Sequence, residues 1–340
     1  MAAVTMEMTL AGRRLVLETG RMARQAHGSV LVTYGDSSVI VAAVSQKTGS
    51  ELPSFFPLTV EYRERSYAAG KIPGGFFKRE GRPSETEILS ARLIDRPVRP
   101  LFPRGFTSET QIYCMVISSD SANNPDLLGL IGASASLMVS DIPWNGPISE
   151  VRVARVDGQF VINPTLEQKE RADIDLMVGA SIDNILMVEG EMKEVSEEEM
   201  LEALKVAHEA IKVQCELQLE LAREAGKTTK RTYSHEVNDE NLKKELYELL
   251  YPRVYEVARQ QIKSKKERTA AFEKILEDYL ASLPEDSPID REMVKRYYHG
   301  IHKKAARDLV LNEGIRLDGR KTTDIRPIYT EVDLLPSTHG

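Results

Sequence analysis

A glycine-rich loop carries the chemically most distinctive residues of this sequence. Three glycines and a proline within residues 70–75 exclude regular secondary structure, and Phe76, Phe77, Lys78 and Arg79 follow them. Aromatic faces can stack nucleic-acid bases, at about 1–3 kcal/mol per base, and basic side chains neutralise phosphates without reading sequence. The same residues are equally consistent with a purely structural role, in which the two phenylalanines pack in a hydrophobic core and the two basic side chains face solvent. Composition leaves both interpretations open.

Positive charge is concentrated around this loop. The whole chain has a net charge of −7, whereas Arg63–Arg104 holds ten Lys or Arg and five Asp or Glu, a local net charge of +5. A solvated basic face and a surface that attracts phosphate are both consistent with this excess.

Three arginines beyond the loop are candidates for phosphate contact. Arg82 could extend the loop surface, and Arg92 and Arg96 are four residues apart, which places them on one face of a helix. Two guanidiniums one turn apart suit phosphate oxygens, because bidentate geometry favours arginine. Pairing with Asp95, Glu85 or Glu87 is the structural alternative.

The elements around these residues follow from local signals. The first 70 residues read as strands, with a hairpin at Gly35-Asp36. Ser84 and Glu87 form a capping box that opens a helix, which we expect to end at Pro97 and Pro100. The small apolar segment Pro125–Val139 predicts a helix packed against a sheet.

The second half of the chain changes character. Asp157-Gly158 predicts another hairpin, and Ser196 with Glu199 opens a long helix that Gly226 closes. Residues 227–312 look helical throughout, and we expect breaks or first turns at Pro252, Pro284 and Pro288. Ile328–Leu335 looks like a strand near the end of the chain.

Composition excludes several classes of protein. At 41% hydrophobic and 29% charged residues, 340 residues indicate two or three globular domains. No apolar run approaches the roughly 20 residues that span a bilayer, and residues 1–10 lack the features of a signal peptide. Without a secretion signal, we expect Cys114 and Cys215 to be free thiols in a reducing cytoplasm rather than a disulfide, and the short apolar runs indicate no membrane association. The six histidines form no metal-binding pattern.

Two longer motifs resemble bacterial polynucleotide phosphorylases. They are Phe76–Ser84 (FFKREGRPS) with Ala91–Pro103 (ARLIDRPVRPLFP), and Gly314–Arg320 (GIRLDGR). The resemblance runs along the chain in the family's order. It implies an α+β fold with an RNase PH-like domain (ribosomal protein S5 domain 2-like β-α-β architecture) at 1–226. An all-helical domain at 227–312 and the truncated start of a second RNase PH-like domain at 313–340 would follow.

The resemblance implies phosphorolytic degradation of single-stranded RNA from its 3′ end, which releases nucleoside diphosphates. Inorganic phosphate would be the co-substrate, and Mg²⁺ or Mn²⁺ would assist in the missing second domain. Family members form homotrimers around an RNA channel and can join RNA-degradation complexes with an endoribonuclease or a helicase. By this resemblance, RNA-binding residues are Phe76, Phe77, Lys78, Arg79, Arg82, Arg92 and Arg96.

The resemblance also implies that this portion holds no catalytic or metal site. In the family's active copy a run of serines opens the helix that corresponds to Pro125–Val139, whereas here the position reads Asn124-Pro125-Asp126. An acidic side chain there would repel phosphate. The active copy also carries Asp-x₅-Asp-x-Lys, where this chain has Lys169, Asp175 and Met177. We expect Asp175 to be a structural polar residue, since one carboxylate makes a poor metal site.

Two further interpretations belong to other classes of function. The chain could be an inactive scaffold that guides RNA or mediates oligomerisation, which activity measurements would separate from an enzyme. A sequence-specific RNA binder is disfavoured because the sequence contains no base-reading module.

Overall fold

The computed structural model describes residues 3–47, 56–74, 80–120, 122–233, 238–284 and 286–337. The chain divides into two compact units, Met1–Glu236 and Val237–Gly340, which are described separately. No helix within the described ranges is long and apolar enough to cross a membrane.

The first unit contains a six-stranded sheet. Its strands are β1 (Val4–Leu10), β2 (Arg13–Thr19), β3 (Gly28–Tyr34), β4 (Ser37–Ser45), β5 (Leu58–Glu64) and β6 (Thr110–Ser118). Their spatial order is β1-β2-β3-β4-β6-β5, and all neighbours are antiparallel except β5 and β6. The hairpin predicted at Gly35-Asp36 is confirmed, since β3 pairs with β4 across it.

A four-stranded antiparallel sheet completes the strands of this unit. It consists of β7 (Ile148–Val156), β8 (Gln159–Ile162), β9 (Ile174–Ser181) and β10 (Ile185–Met192) in the order β10-β9-β7-β8. The predicted turn at Asp157-Gly158 joins β7 to β8, with φ of 51° and 78° at the two residues. A glycine accommodates the second of these angles without steric cost.

Four α-helices pack with the two sheets: α1 (Glu85–Val98), α2 (Gly129–Met138), α3 (Leu166–Glu170) and α4 (Glu197–Glu224). Both predicted capping boxes are present, at Ser84 with Glu87 and at Ser196 with Glu199. The sequence placed the end of α1 at Pro97, but the helix continues through Pro97 to Val98. A 3₁₀ helix, Arg99–Leu101, then contains Pro100.

The helix predicted over residues 125–139 divides into a 3₁₀ turn, Pro125–Leu128, and the fully buried helix α2. Helix α2 contacts β3 and β4 of the first sheet and β7 of the second. Gly132 permits this approach, since a Cβ there would lie 2.5 Å from the Cγ2 atom of Val41. Cys114 and Cys215 are buried free thiols, as the sequence predicted.

The segment after α4 is held by the first unit. The ammonium group of Lys230 donates to the carbonyl oxygens of Leu137, Met138 and Ser140 at 2.7, 3.2 and 2.8 Å. These carbonyls lie at the C-terminal end of α2, where a cation is favourable. Residues 227–233 therefore belong with the first unit, beyond the domain boundary that the sequence predicted at residue 226.

The second unit is helical, with α5 (Glu240–Arg259), α6 (Lys265–Ser282) and α7 (Arg291–Glu313) around one apolar core. The sequence predicted a break or first turn at Pro252, but α5 runs through it. The rings of Tyr247, Tyr251 and Tyr255 stack along α5, and the hydroxyl of Tyr251 donates to Asp308 on α7 at 2.6 Å. These contacts stabilise the helical turn at Pro252, which lacks an N–H to donate. The packing therefore compensates for the backbone hydrogen bond that the proline cannot form.

The segment after α7 contradicts one prediction. Ile328–Leu335 forms no strand, and the side chains of Ile328, Tyr329 and Val332 are exposed. A strand needs a partner for its backbone groups, and none of the described residues pairs with this segment. The segment from Ile315 to Lys321 is ordered by one bridge between those two residues.

Candidate functional site

The structure describes only the base of the predicted RNA-binding loop. Phe76, Phe77, Lys78 and Arg79 lie outside the residues that the structure describes. At the C-terminal base, the carboxylate of Glu80 accepts the Ser66 N–H at 2.6 Å and an Arg65 guanidinium N–H at 3.3 Å. The Ser66 backbone hydrogen bond and Arg65 lower the pKa of Glu80 below its usual range. Glu80 thereby fixes the loop base.

Arg82 is exposed just beyond this base. It makes no hydrogen bond or ion pair with any described residue. Pro83 and the N-cap Ser84 follow it directly, so its backbone is tied to the start of α1. Its charge is therefore available to an anionic ligand.

Arg92 and Arg96 line one open cavity of about 510 Å³ between α1 and the second sheet. Both side chains are exposed. Arg96 forms an ion pair with Glu189 on β10, while Arg92 forms none with the described residues. Of the acids that the sequence offered as alternative partners, Asp95 pairs instead with Arg99 at 2.7 Å, and Glu87 accepts the Ser84 N–H in the capping box of α1.

A largely buried group of charged side chains, which we call the Arg152 cluster, forms the floor of the same cavity. The Arg152 guanidinium lies 3.0 Å from Asp175 and 3.3 Å from Asp126, and the Lys169 ammonium lies 3.2 Å from Asp175. The side chains of Arg152, Asp126 and Asp175 are only 11–13% exposed. Two cationic side chains thus neutralise two carboxylates that are largely removed from water.

This cluster does not fit a divalent metal. Divalent ions such as Mg²⁺ need free carboxylate oxygens as ligands, whereas Arg152 already occupies oxygens of both Asp126 and Asp175. Burial raises the pKa of Asp126, and the nearby Arg152 opposes that shift. Across the described part of the chain, no group of three or more His, Cys, Asp or Glu could hold a metal ion. Lys169, at the position for which the resemblance implies an aspartate in an active copy, pairs here with Asp175.

Glu150 is a further buried acid, one that the sequence patterns did not single out. Its carboxylate accepts the Leu130 N–H at the start of α2, at 3.0 Å, while its Oε2 atom has no partner among the described residues. Burial raises the pKa of Glu150 to about 8. The sequence did contain one signal for Glu150. Successive side chains of a strand point to opposite faces, so Glu150 and Arg152, two residues apart on β7, share one face.

Known protein families match nearly the whole chain. Residues 11–143 match the 3′ exoribonuclease family, domain 1, and residues 146–210 match domain 2 of that family. Residues 241–321 match the polyribonucleotide nucleotidyltransferase RNA-binding domain. The chain belongs to the 3′ exoribonuclease family.

Curated relatives of this family member carry the name polyribonucleotide nucleotidyltransferase. The protein from Porphyromonas gingivalis strain W83 is 54% identical over 330 residues, which is 97% of this chain and 44% of the relative. The Parabacteroides distasonis protein is 52% identical over 331 residues, with the same coverage. The Bacteroides fragilis NCTC 9343 protein is 51% identical over 330 residues, 97% of this chain and 47% of the relative. The chain therefore spans less than half the length of these relatives.

The family matches follow the observed elements. The domain 1 range contains β2 to β6 with α1 and α2, and the domain 2 range contains the second sheet and half of α4. The third range contains α5 to α7 and the turn at 315–321. The predicted resemblance to polynucleotide phosphorylases is confirmed, as is the α+β RNase PH-like fold followed by an all-helical domain.

Proposed function

We propose that this chain is part of a 3′-to-5′ exoribonuclease that degrades single-stranded RNA by phosphorolysis to nucleoside diphosphates. The observation that carries this proposal is the match of 97% of the chain to polyribonucleotide nucleotidyltransferases, at 50–54% identity. Inorganic phosphate is the co-substrate, and Mg²⁺ or Mn²⁺ acts in a second RNase PH-like domain that begins at residues 313–340. The cytoplasm is the proposed location.

In this proposal the present portion binds RNA and does not cleave it. Phe76 and Phe77 stack bases of any sequence, and Lys78 with Arg79 neutralises the backbone. Arg82 and the cavity arginines, Arg92 and Arg96, extend the same contact. The Arg152 cluster supports the absence of catalysis here, because its carboxylates hold cations of the chain itself. The full protein forms a homotrimer and can join an endoribonuclease or a helicase, which are expectations from the family resemblance.

The second candidate is an RNA-guiding or oligomerisation scaffold without activity of its own. The neutralised carboxylates of the Arg152 cluster favour this candidate for the chain taken alone. The two candidates are compatible, one for the longer protein and one for this portion.

RNA binding by the 340-residue chain tests the proposal. Lys78→Ala with Arg79→Ala removes two phosphate contacts, so affinity for oligoadenylate should fall. The slope of log affinity against log salt should flatten by about 1.4, at about 0.7 per phosphate on a single strand. The control is Lys205→Ala with Lys212→Ala on α4, which makes the same charge change at two lysines paired with glutamates. Equal affinity and slope in the two double variants would contradict the loop assignment.

A further inference from the structure

Arg82 lies in a short segment, residues 80–84, that joins the predicted RNA-binding loop to α1. One carboxylate fixes the α1 end of this segment. Glu87 accepts the N–H of Ser84 at 2.6 Å and the N–H of Glu64, the last residue of β5, at 2.8 Å. The freedom of the backbone at Arg82 therefore depends on how the other end of the segment is held.

Glu80 holds that other end through two contacts. Its Oε1 atom accepts the Ser66 N–H at 2.6 Å, and its Oε2 atom accepts a guanidinium N–H of Arg65 at 3.3 Å. The Arg65 and Glu80 side chains are only 25% and 23% exposed, so water and salt screen this pair less than a fully exposed one. Arg65 in turn donates to the hydroxyl oxygen of Tyr113 on β6 at 3.1 Å. Glu80 therefore connects the segment to the six-stranded sheet.

The backbone of Glu80 is strained. Its φ of 59° lies in the left-handed region, which residues with a Cβ rarely adopt. Such a conformation persists only where surrounding contacts hold it, and the carboxylate contacts of Glu80 do so. The carbonyl of the next residue, Gly81, accepts from the Arg63 guanidinium at 3.4 Å. The side chain that follows is Arg82, which is exposed and pairs with no described residue.

We propose that Glu80 is a positioning residue for RNA binding, which holds the backbone of residues 80–82 so that the Arg82 guanidinium is presented to a phosphate of single-stranded RNA. The inference rests on the proposed function, in which Arg82 is one of the RNA contacts. A cation on a fixed backbone loses less conformational freedom on binding than a cation on a free loop. Glu80 thus strengthens the binding of a polyanion although it is itself an anion.

This role reverses the sign that charge alone predicts. Glu80→Ala makes the surface around Arg82 more positive by one charge, which by itself should increase the attraction of phosphate. If Glu80 positions Arg82, the substitution should instead lower the affinity of the full chain for labelled oligoadenylate. The expected loss is up to about fivefold, the value of one exposed ion pair. The slope of log affinity against log salt should flatten by up to about 0.7, the value for one phosphate.

The matched control is Glu85→Ala. Glu85 lies three residues beyond Arg82, is exposed and pairs with no described residue, so its removal makes the same charge change without releasing the segment. We expect this variant to bind as tightly as the wild type or more tightly. Glu80→Gln keeps an oxygen that can accept the Ser66 N–H but loses the ion pair with Arg65. Its affinity should lie between those of the wild type and Glu80→Ala.

A double-variant cycle shows whether Glu80 acts through Arg82. Arg82→Ala should lower the affinity, and adding Glu80→Ala to it should cause no further loss. Urea unfolding followed by Trp144 fluorescence identifies any variant whose first unit is unfolded. If Glu80→Ala is unfolded, Glu80→Gln is compared with Glu85→Gln in its place.

Two results would overturn the positioning role while RNA binding by the wild-type chain stands. One is equal affinity in the Glu80 and Glu85 variants, and the other is additive losses from Glu80→Ala and Arg82→Ala. If the wild-type chain binds no oligoadenylate, the proposed function itself fails, and the role of Glu80 fails with it.

Discussion

One guanidinium nitrogen of Arg152, Nη1, donates to both carboxylate oxygens of Asp175, each at 3.0 Å. Arg152 lies on β7 and Asp175 on β9, so the pair crosses two neighbouring strands of the second sheet. Through Nη2 the same guanidinium reaches Asp126 at 3.3 Å. A single arginine thus pairs with both carboxylates at the floor of the cavity between α1 and the second sheet.

Loss of Arg152 should destabilise the first unit strongly. Arg152→Met keeps a side chain of similar length but leaves Asp126 and Asp175 buried with only Lys169 as a cation. Breaking a buried ion pair from one side costs about 3–5 kcal/mol, because the remaining charge is uncompensated. Urea unfolding followed by fluorescence of Trp144 measures this directly, since Trp144 is the one tryptophan and is buried in the first unit.

Arg171→Met provides the comparison for that experiment. Arg171 pairs with Asp157 at 3.2 Å, but both side chains are more than half exposed. Exposed pairs contribute about 0–1 kcal/mol, so this variant should unfold close to the wild type. If Arg152→Met lowers the free energy of unfolding by no more than about 1 kcal/mol, as an exposed pair would, the cluster does not stabilise the fold.

Glu150 should make the stability of the first unit depend on pH. Burial raises its pKa from 4.5 to about 8, so the folded state retains a proton that the unfolded chain releases. The group's stabilising contribution is complete below pH 4.5 and is lost as pH rises toward 8, by about 1.4 kcal/mol per pH unit. Glu150→Gln cannot ionise and keeps an oxygen acceptor for the Leu130 N–H. Its advantage over the wild type should therefore grow by about 2 kcal/mol between pH 6 and 8, since the slope falls off near the folded pKa.

Trp144 fluorescence in urea at the two pH values measures that difference. Glu170→Gln is the control, because Glu170 is exposed on the surface of the same unit. If Glu150→Gln and the wild type respond to pH in parallel, the carboxyl of Glu150 does not hold a proton in the folded state.

Arg92 should contribute more to RNA binding than Arg96. Arg92 has no ion-pair partner among the described residues, whereas Arg96 is paired with Glu189. Arg92→Ala should reduce the salt slope for oligoadenylate by about 0.7, the value for one phosphate. Arg96→Ala with Glu189→Ala preserves the net charge and should reduce the slope by less than Arg92→Ala does, because Arg96 is already paired. An unchanged slope in Arg92→Ala would remove this arginine from the RNA surface.

The sequence predicted those features that depend on neighbours along the chain. Both capping boxes span three residues, and the Asp157-Gly158 turn spans two, so their signals are local. Pro252 was misread because its helix is held by contacts with α7, which no local pattern records. The strand predicted at 328–335 was wrong for the related reason that strands depend on partners.

The site was predictable only in part. The resemblance pointed to Asp126, Lys169 and Asp175, but Arg152 lies 23 and 26 residues from its acidic partners in sequence. Pairing across strands depends on register, which a single sequence does not display. The same reason hid Glu150, whose partner at Leu130 belongs to another element.

Release of nucleoside diphosphates tests the central claim most directly, namely that this portion binds RNA and leaves catalysis to the missing domain. The 340-residue chain, purified from a host without its own enzyme, would be incubated with polyadenylate, magnesium and phosphate. We expect no release of adenosine diphosphate, because cations of the chain occupy Asp126 and Asp175. Phosphate-dependent release by this chain would show that the first unit is catalytically active, and would contradict the account.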